Sequence, residues 1–248
     1  MYQYISFKVR ATLKAQARNN YLGYLWWGLE PLLLMSVFYF VFGVLFQRGG
    51  EGFEKQLLIG VSVWLWFASS VNMTSSSLMQ AKALMHRVYI PKIVVILISY
   101  GVSCAKQFFV FSILIAFLLF FSEVKVTWLY FPILVFIQCV FNASIGIFAA
   151  AIVPYVPDLR FIIPPVLQLL MFCSGVFYTV SSLPLAIQPY LLMNPISNLI
   201  DQYRSVLVLG DAPNFVHLLI IFGCSVVFIF VSIMLLIRSD RYYPRLIY

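Results

Sequence analysis

The sequence predicts an all-α membrane protein: six transmembrane helices, an N-terminal amphipathic surface helix, and broken outer helices between spans 5 and 6. Three observations carry this reading. Of 248 residues, 63% are hydrophobic and 10% are charged, whereas a soluble domain is roughly 45–50% apolar and about 25% charged. The apolar residues gather into six runs, each near the roughly 20 residues that a membrane-crossing helix needs. The sixteen Lys and Arg residues stand in short blocks between those runs, which is how topology signals are placed.

The elements follow in order within a single transmembrane domain, 1–248. In residues 1–22, Ile5, Val9 and Leu13 share one helical face, while Arg10, Lys14 and Arg18 run along another. That pattern describes a helix lying on the cytoplasmic surface with its cations near anionic lipid. Those three cations are also candidates for meeting phosphate at a cytoplasmic entrance. No apolar core with a small-residue cleavage site stands there, so no signal peptide is expected. The expected spans are 28–47, 56–80, 93–121, 127–153, 161–180 and 215–237. Glu30 and Pro31 stand near the start of the first, and Lys106 interrupts the third.

Residues 161–200 carry no charge. One tilted helix does not use that length, and Pro184, Pro189 and Pro195 break its second half. A span followed by short broken helices fits better. Irregular backbone at membrane depth is tolerated only where protein buries it or a cavity borders it. Residues 181–213 are therefore expected to form an outer gate segment or a re-entrant hairpin.

With the N-terminus inside, eleven Lys and Arg fall on the cytoplasmic side and four (Arg48, Lys55, Lys125 and Arg204) fall outside. This bias puts both termini in the cytoplasm. It also accounts for the net charge of +8 without a nucleic-acid partner. Cys104, Cys139, Cys173 and Cys224 each stand alone in apolar runs. They read as small buried side chains, with no disulfide framework or metal site among them.

Enzymatic constellations are missing. The sequence holds no HExxH, no GxSxG and no Walker A pattern, so no ATP site is expected on this chain. Lys106 is the one ionisable residue well inside a span, which makes it either a functional cation or a hydrogen-bonded strut between helices. Trp26, Trp27 and Trp128 stand at span ends, where belt tryptophans belong. Trp64, Trp66 and Phe67 lie deeper, as do Phe38, Tyr39, Phe42, Phe172, Phe177 and Tyr178. Any one of these is ordinary core or lipid-facing surface. Together they are candidates for lining a path on which sugar rings slide against aromatic faces. The loop from Lys82 to Lys92 (KALMHRVYIPK) is short and basic. It is either a plain positive-inside turn or a docking surface for a cytoplasmic partner.

Several stretches then resemble one family, the permease subunits of polysaccharide-exporting ABC transporters that serve O-antigen, capsule and teichoic acid. They are Leu22–Pro31 (LGYLWWGLEP), Leu58–Ser70 (LIGVSVWLWFASS), His86–Lys92 (HRVYIPK), Pro157–Arg160 (PDLR) and Tyr190–Pro195 (YLLMNP). The order and spacing of these motifs carry the likeness, and Ile90-Pro91-Lys92 replaces the family's usual Phe-Pro-Arg-type end. The resemblance implies a homodimer around one channel in the cell inner membrane. It implies two copies of a cytoplasmic ATP-binding subunit that hold the ATP and magnesium, and a lipid-linked glycan as substrate. It further implies that the loop holding Lys82, His86, Arg87, Tyr89, Pro91 and Lys92 couples ATP hydrolysis to transport. Drug- and lipid-exporting relatives share the architecture, so the substrate class is left open at this point.

Overall fold

The computed structural model describes residues 2–18, 21, 23–47, 50, 52–85, 90–121 and 123–238. Among them the protein is all-helical. Helix α1 is Tyr2–Arg18 and α2 is Leu25–Leu45, whose last seven residues, Tyr39–Leu45, are a π-helical turn. Helix α3 is Phe53–Ser75, followed by the single turns α4 (Ser77–Gln80) and α5 (Lys82–Met85). Helix α6 is Lys92–Phe121, and α7 is Phe131–Ile152 with a 3-10 turn before it. Helix α8 is Leu159–Cys173, α9 is Gln188–Met193, α10 is Pro195–Arg204 and α11 is Phe215–Arg238.

Five of these helices, α2, α3, α6, α7 (with its 3-10 turn) and α11, are long and apolar enough to cross a bilayer. The fifth apolar run differs from expectation. Its helix stops at Cys173 rather than continuing to 180. Fifteen residues rise only about 22 Å at 1.5 Å each, short of the roughly 30 Å hydrocarbon core. The stop is physical: Gly175 takes φ +69°, a left-handed conformation that ends the helix. The second run also stops early, at Ser75. In the sequence Thr74-Ser75-Ser76-Ser77, the Ser76 and Ser77 hydroxyls donate back to the Asn72 and Thr74 carbonyls. Such local bonds compete with continued helix.

Helix α3 is the centre of the bundle. It packs against α2, α6, α7, α8 and α10, while α11 closes on α7. Trp64 and Trp66, 2% and 3% exposed, lie in this core with Phe67, Phe111, Phe141 and Tyr203. Polar side chains tie the helices together where lipid offers no hydrophobic drive. Gln107 and Gln138 donate from α6 and α7 to the adjacent α3 carbonyls of Ser62 and Val63. The hydroxyls of Ser70 and Ser103 meet at 2.8 Å. The cysteines depart from the buried expectation: Cys104 and Cys139 are half-buried, while Cys173 and Cys224 are exposed, and all four are free.

Helix α1 lies along α6. Ile5, Val9 and Leu13 turn inward, and Arg10, Lys14 and Arg18 are exposed. At the opposite end of the bundle, the segment after α8 forms a hairpin. Its corner at Asn194-Pro195 reaches a small cleft bounded by Ser144, Ile145, Cys224 and Phe228. Those residues lie roughly 10–14 residues along α7 and α11, about 15–20 Å from their starts. The hairpin therefore dips to about half the height of the bundle and returns.

Candidate functional site

The hairpin end is held by one side chain. Arg204, at the end of α10, is 4% exposed. Its Nη1 donates to the carbonyls of Gly175 and Tyr178, each at 2.8 Å. Its Nη2 donates to Val176 at 2.7 Å, and its Nε to Gln56 at 3.1 Å. The guanidinium fork thus collects three carbonyls of the irregular turn after α8 and adds a bond to the Gln56 carbonyl in α3. Gly60 makes room for it: a Cβ there would sit 2.7 Å from Nη2 and 2.8 Å from the Val176 oxygen. The sequence reading counted Arg204 only among the outer charges. The signal it missed was a cation three residues after Asp201, at the close of a long uncharged stretch.

The rest of the hairpin is similarly tied. Asn194 caps α10 by accepting from the Ile196 amide, and its Nδ2 donates to the Ser174 hydroxyl. Beyond α10 the chain takes a π-helical turn, Ser205–Leu209. Its free carbonyls receive bonds from Thr127 to Val206, Trp128 to Leu207, and Lys125 to Val208 and Leu209. A lysine on the last carbonyls of a helix also suits the helix dipole.

Beside the clamp opens a cleft of about 690 Å³, bordered by Phe42, Phe53, Phe172, Phe177, Tyr178 and Ser182 among others. Its walls are rings in mutual contact. Phe177 meets Phe38 at 4.3 Å, Phe172 at 5.3 Å and Phe42 at 5.5 Å between centroids. Tyr39 lies against Phe53 at 6.3 Å. Three of the eight aromatic residues expected along a path, Phe172, Phe177 and Tyr178, border the cleft, and Phe38 and Tyr39 stand behind its walls in ring contact with Phe177 and Phe53. The other three, Trp64, Trp66 and Phe67, are packed in the core of one chain away from this cleft, Trp66 bordering a smaller one with Lys106. Helical periodicity alone does not say which face of a uniformly apolar helix is buried, and α3 is buried on nearly every side.

The faces around this cleft are open. Only about a tenth of the apolar window of α2 is buried within the chain. On α8, Leu167 is the one buried residue, and Phe161, Leu169 and Phe172 are 65%, 69% and 50% exposed.

At the other end of the bundle, the expected coupling residues Lys82, Pro91 and Lys92 stand on α5 and at the start of α6. His86, Arg87 and Tyr89 lie outside the described residues. The second turn at this end, Tyr155–Asp158, exposes Tyr155 and Val156. Lys106 stands over the ring of Trp27 at 5.4 Å. Trp27 is in the first turn of α2, and Lys106, midway along α6, also borders a small cleft with Trp66 and Ser69 of α3. Among the described residues no cluster suited to a metal ion occurs.

The family model for ABC-2 type transporters matches residues 4–208. Three curated relatives are each described as an O-antigen export system permease protein RfbA. One, from Myxococcus xanthus, is 28% identical over 240 residues, covering 94% of this chain and 92% of the relative. Two from Klebsiella pneumoniae are 24% and 21% identical, covering 80% and 87% of this chain and 77% and 83% of the relatives. The protein is therefore a multi-pass membrane protein, and it belongs to the ABC-2 type transporter family.

Proposed function

We propose that this chain is the membrane-spanning subunit of an ATP-driven exporter that moves a lipid-linked polysaccharide across the cell inner membrane. The observation that carries the reading is the aromatic cleft. Half of its lining residues are rings that offer flat faces, with Gln56, Thr179 and Ser182 adding an amide and hydroxyls between them. Such walls hold sugar rings through their C–H faces without locking one register, which suits a polymer that must slide. The relatives' role in O-antigen export favours a glycan over a drug.

Two copies pair through the open faces of α2 and α8 and enclose the path between them. ATP and magnesium belong to a separate ATP-binding subunit, also in two copies, with no cofactor on this chain. That subunit docks at the end carrying α1, α5 and the basic residues from Lys82 to Lys92, which is cytoplasmic by the positive-inside rule. His86, Arg87, Tyr89 and Pro91 belong to the same docking loop, and Arg10, Lys14 and Arg18 flank the entrance. The hairpin end, clamped by Arg204, forms the outer gate. The test is to delete the gene and label glycan on intact cells. Loss of surface glycan, with lipid-linked glycan accumulating inside, is expected. Unchanged surface glycan would sink the proposal.

A further inference from the structure

A second cavity, of about 500 Å³, opens at the α1 end of the molecule, between α1, the α3–α4 junction and α6. It is far from the aromatic cleft and shares no wall residue with it. Two cations border it, Lys8 from α1 and Lys106 from α6. Neither makes an ion pair among the described residues. Lys8 faces the Tyr4 ring at 5.9 Å, and Lys106 faces the Trp27 ring. Lys106 also borders a smaller second cleft, which it shares with Glu30.

Besides the Tyr4 phenol, the remaining polar lining is hydroxyl and amide: Thr12, Gln16, Ser77, Gln80 and Ser99. The Gln16 side-chain oxygen is buried without a partner, so this wall is built for a ligand with a donor as well as an anion. Val95, Ile98 and Val102 supply an apolar side. The depth is informative. Met73 and Ser77 lie about 30–36 Å along the line of α3 from its first residue, and the hydrocarbon core is about 30 Å thick. The cavity therefore reaches headgroup level at its Ser77 wall and extends inward to Lys106. Immediately beyond Lys106, Phe108 and Phe109 are 76% and 46% exposed, which offers an apolar track leading into the bilayer.

We propose that this cavity binds the headgroup of an anionic phospholipid of the cytoplasmic leaflet. Lys8 and Lys106 hold the phosphate, Gln16 accepts from a headgroup hydroxyl, and the acyl chains run along Phe108 and Phe109. A lipid seated there joins α1 to α6 and steadies the surface helix. Free phosphate offers the same anion without the chains. A polyprenyl phosphate offers it with different chains and without the hydroxyl.

The experiment uses the full chain in nanodiscs of phosphatidylcholine, with phosphatidylglycerol, undecaprenyl phosphate or inorganic phosphate added in turn. Thermal stability and lipid retained through purification are measured. Phosphatidylglycerol is expected to raise the melting temperature and to be retained at about one molecule per chain. Lys8→Gln with Lys106→Gln should lower that retention at least fivefold, while Lys55→Gln, at the opposite end of the bundle, leaves it unchanged. Should the double variant fold poorly, Lys8→Arg with Gln16→Leu tests the same seat: the arginine keeps the phosphate, and the leucine removes preference for a headgroup hydroxyl. Equal stabilisation by inorganic phosphate, stronger stabilisation by undecaprenyl phosphate, or retention unaffected by the lysines would each overturn the proposal.

Discussion

Arg204 donates to the carbonyls of Gly175, Val176 and Tyr178 in the turn after α8, and to that of Gln56 in α3, in a place where burial leaves little water. Each buried carbonyl left unpaired costs about 1–3 kcal/mol. Replacing Arg204 with Met is therefore expected to destabilise the protein by about 3 kcal/mol or more. Heating in detergent with a readout of remaining monodisperse protein checks this, and Arg204→Lys should recover only part of the loss because it lacks the planar fork. Gly60→Ala tests the same clamp from the other side, since its methyl would displace Nη2 or the Val176 carbonyl. A second pair of substitutions separates core from path. Trp66→Ala removes a packed ring and should cost about 3–5 kcal/mol, seen as less folded protein. Phe172→Ala, half exposed at the cleft, should leave the amount of protein unchanged and lower export per molecule. Trp64 and Trp66 looked in sequence like path residues because both stand deep in a span. In the structure both are buried among five neighbouring helices, which is a property of packing, not of local pattern.

At the scale of elements, the hairpin was legible because prolines cannot continue a helix, and Pro184, Pro189 and Pro195 stand in one uncharged stretch. The premature end of α8 was not legible. Hydropathy runs on past Cys173 without a change, and only the backbone at Gly175 reveals the turn. The amphipathic pattern of α1 was plain, whereas its seat along α6 depends on residues far away in sequence. The open faces of α2 and α8 yield a prediction at this scale. In a variant whose native cysteines are replaced, a cysteine at Leu169 should cross-link two copies in membranes through a short bismaleimide. A cysteine at Leu119, exposed on α6, should not. The reverse pattern would place the dimer contact elsewhere.

For the whole molecule, the two ends differ in chemistry. One end carries α1, the short helices α4 and α5, and most of the described cations. The other carries the clamped hairpin, with Lys125 and Arg204 both spent on backbone carbonyls. The aromatic cleft opens beside that hairpin and reaches the faces on which a second copy would close. The charge asymmetry was readable in sequence because insertion itself reads it. The cleft was readable only in part, since aromatic side chains are as common in cores as on paths.

The central claim is transport of a lipid-linked glycan, and proteoliposomes holding this chain with its ATP-binding subunit test it most directly. A lipid-linked glycan is incorporated, ATP is supplied on the side of the ATP-binding subunit, and lectin protection of the glycan is followed with time. The account predicts ATP-dependent movement of glycan to the hairpin side, slowed by Phe172→Ala with Phe177→Ala. Movement that is absent with an active ATP-binding subunit, or that proceeds equally without ATP, would contradict it.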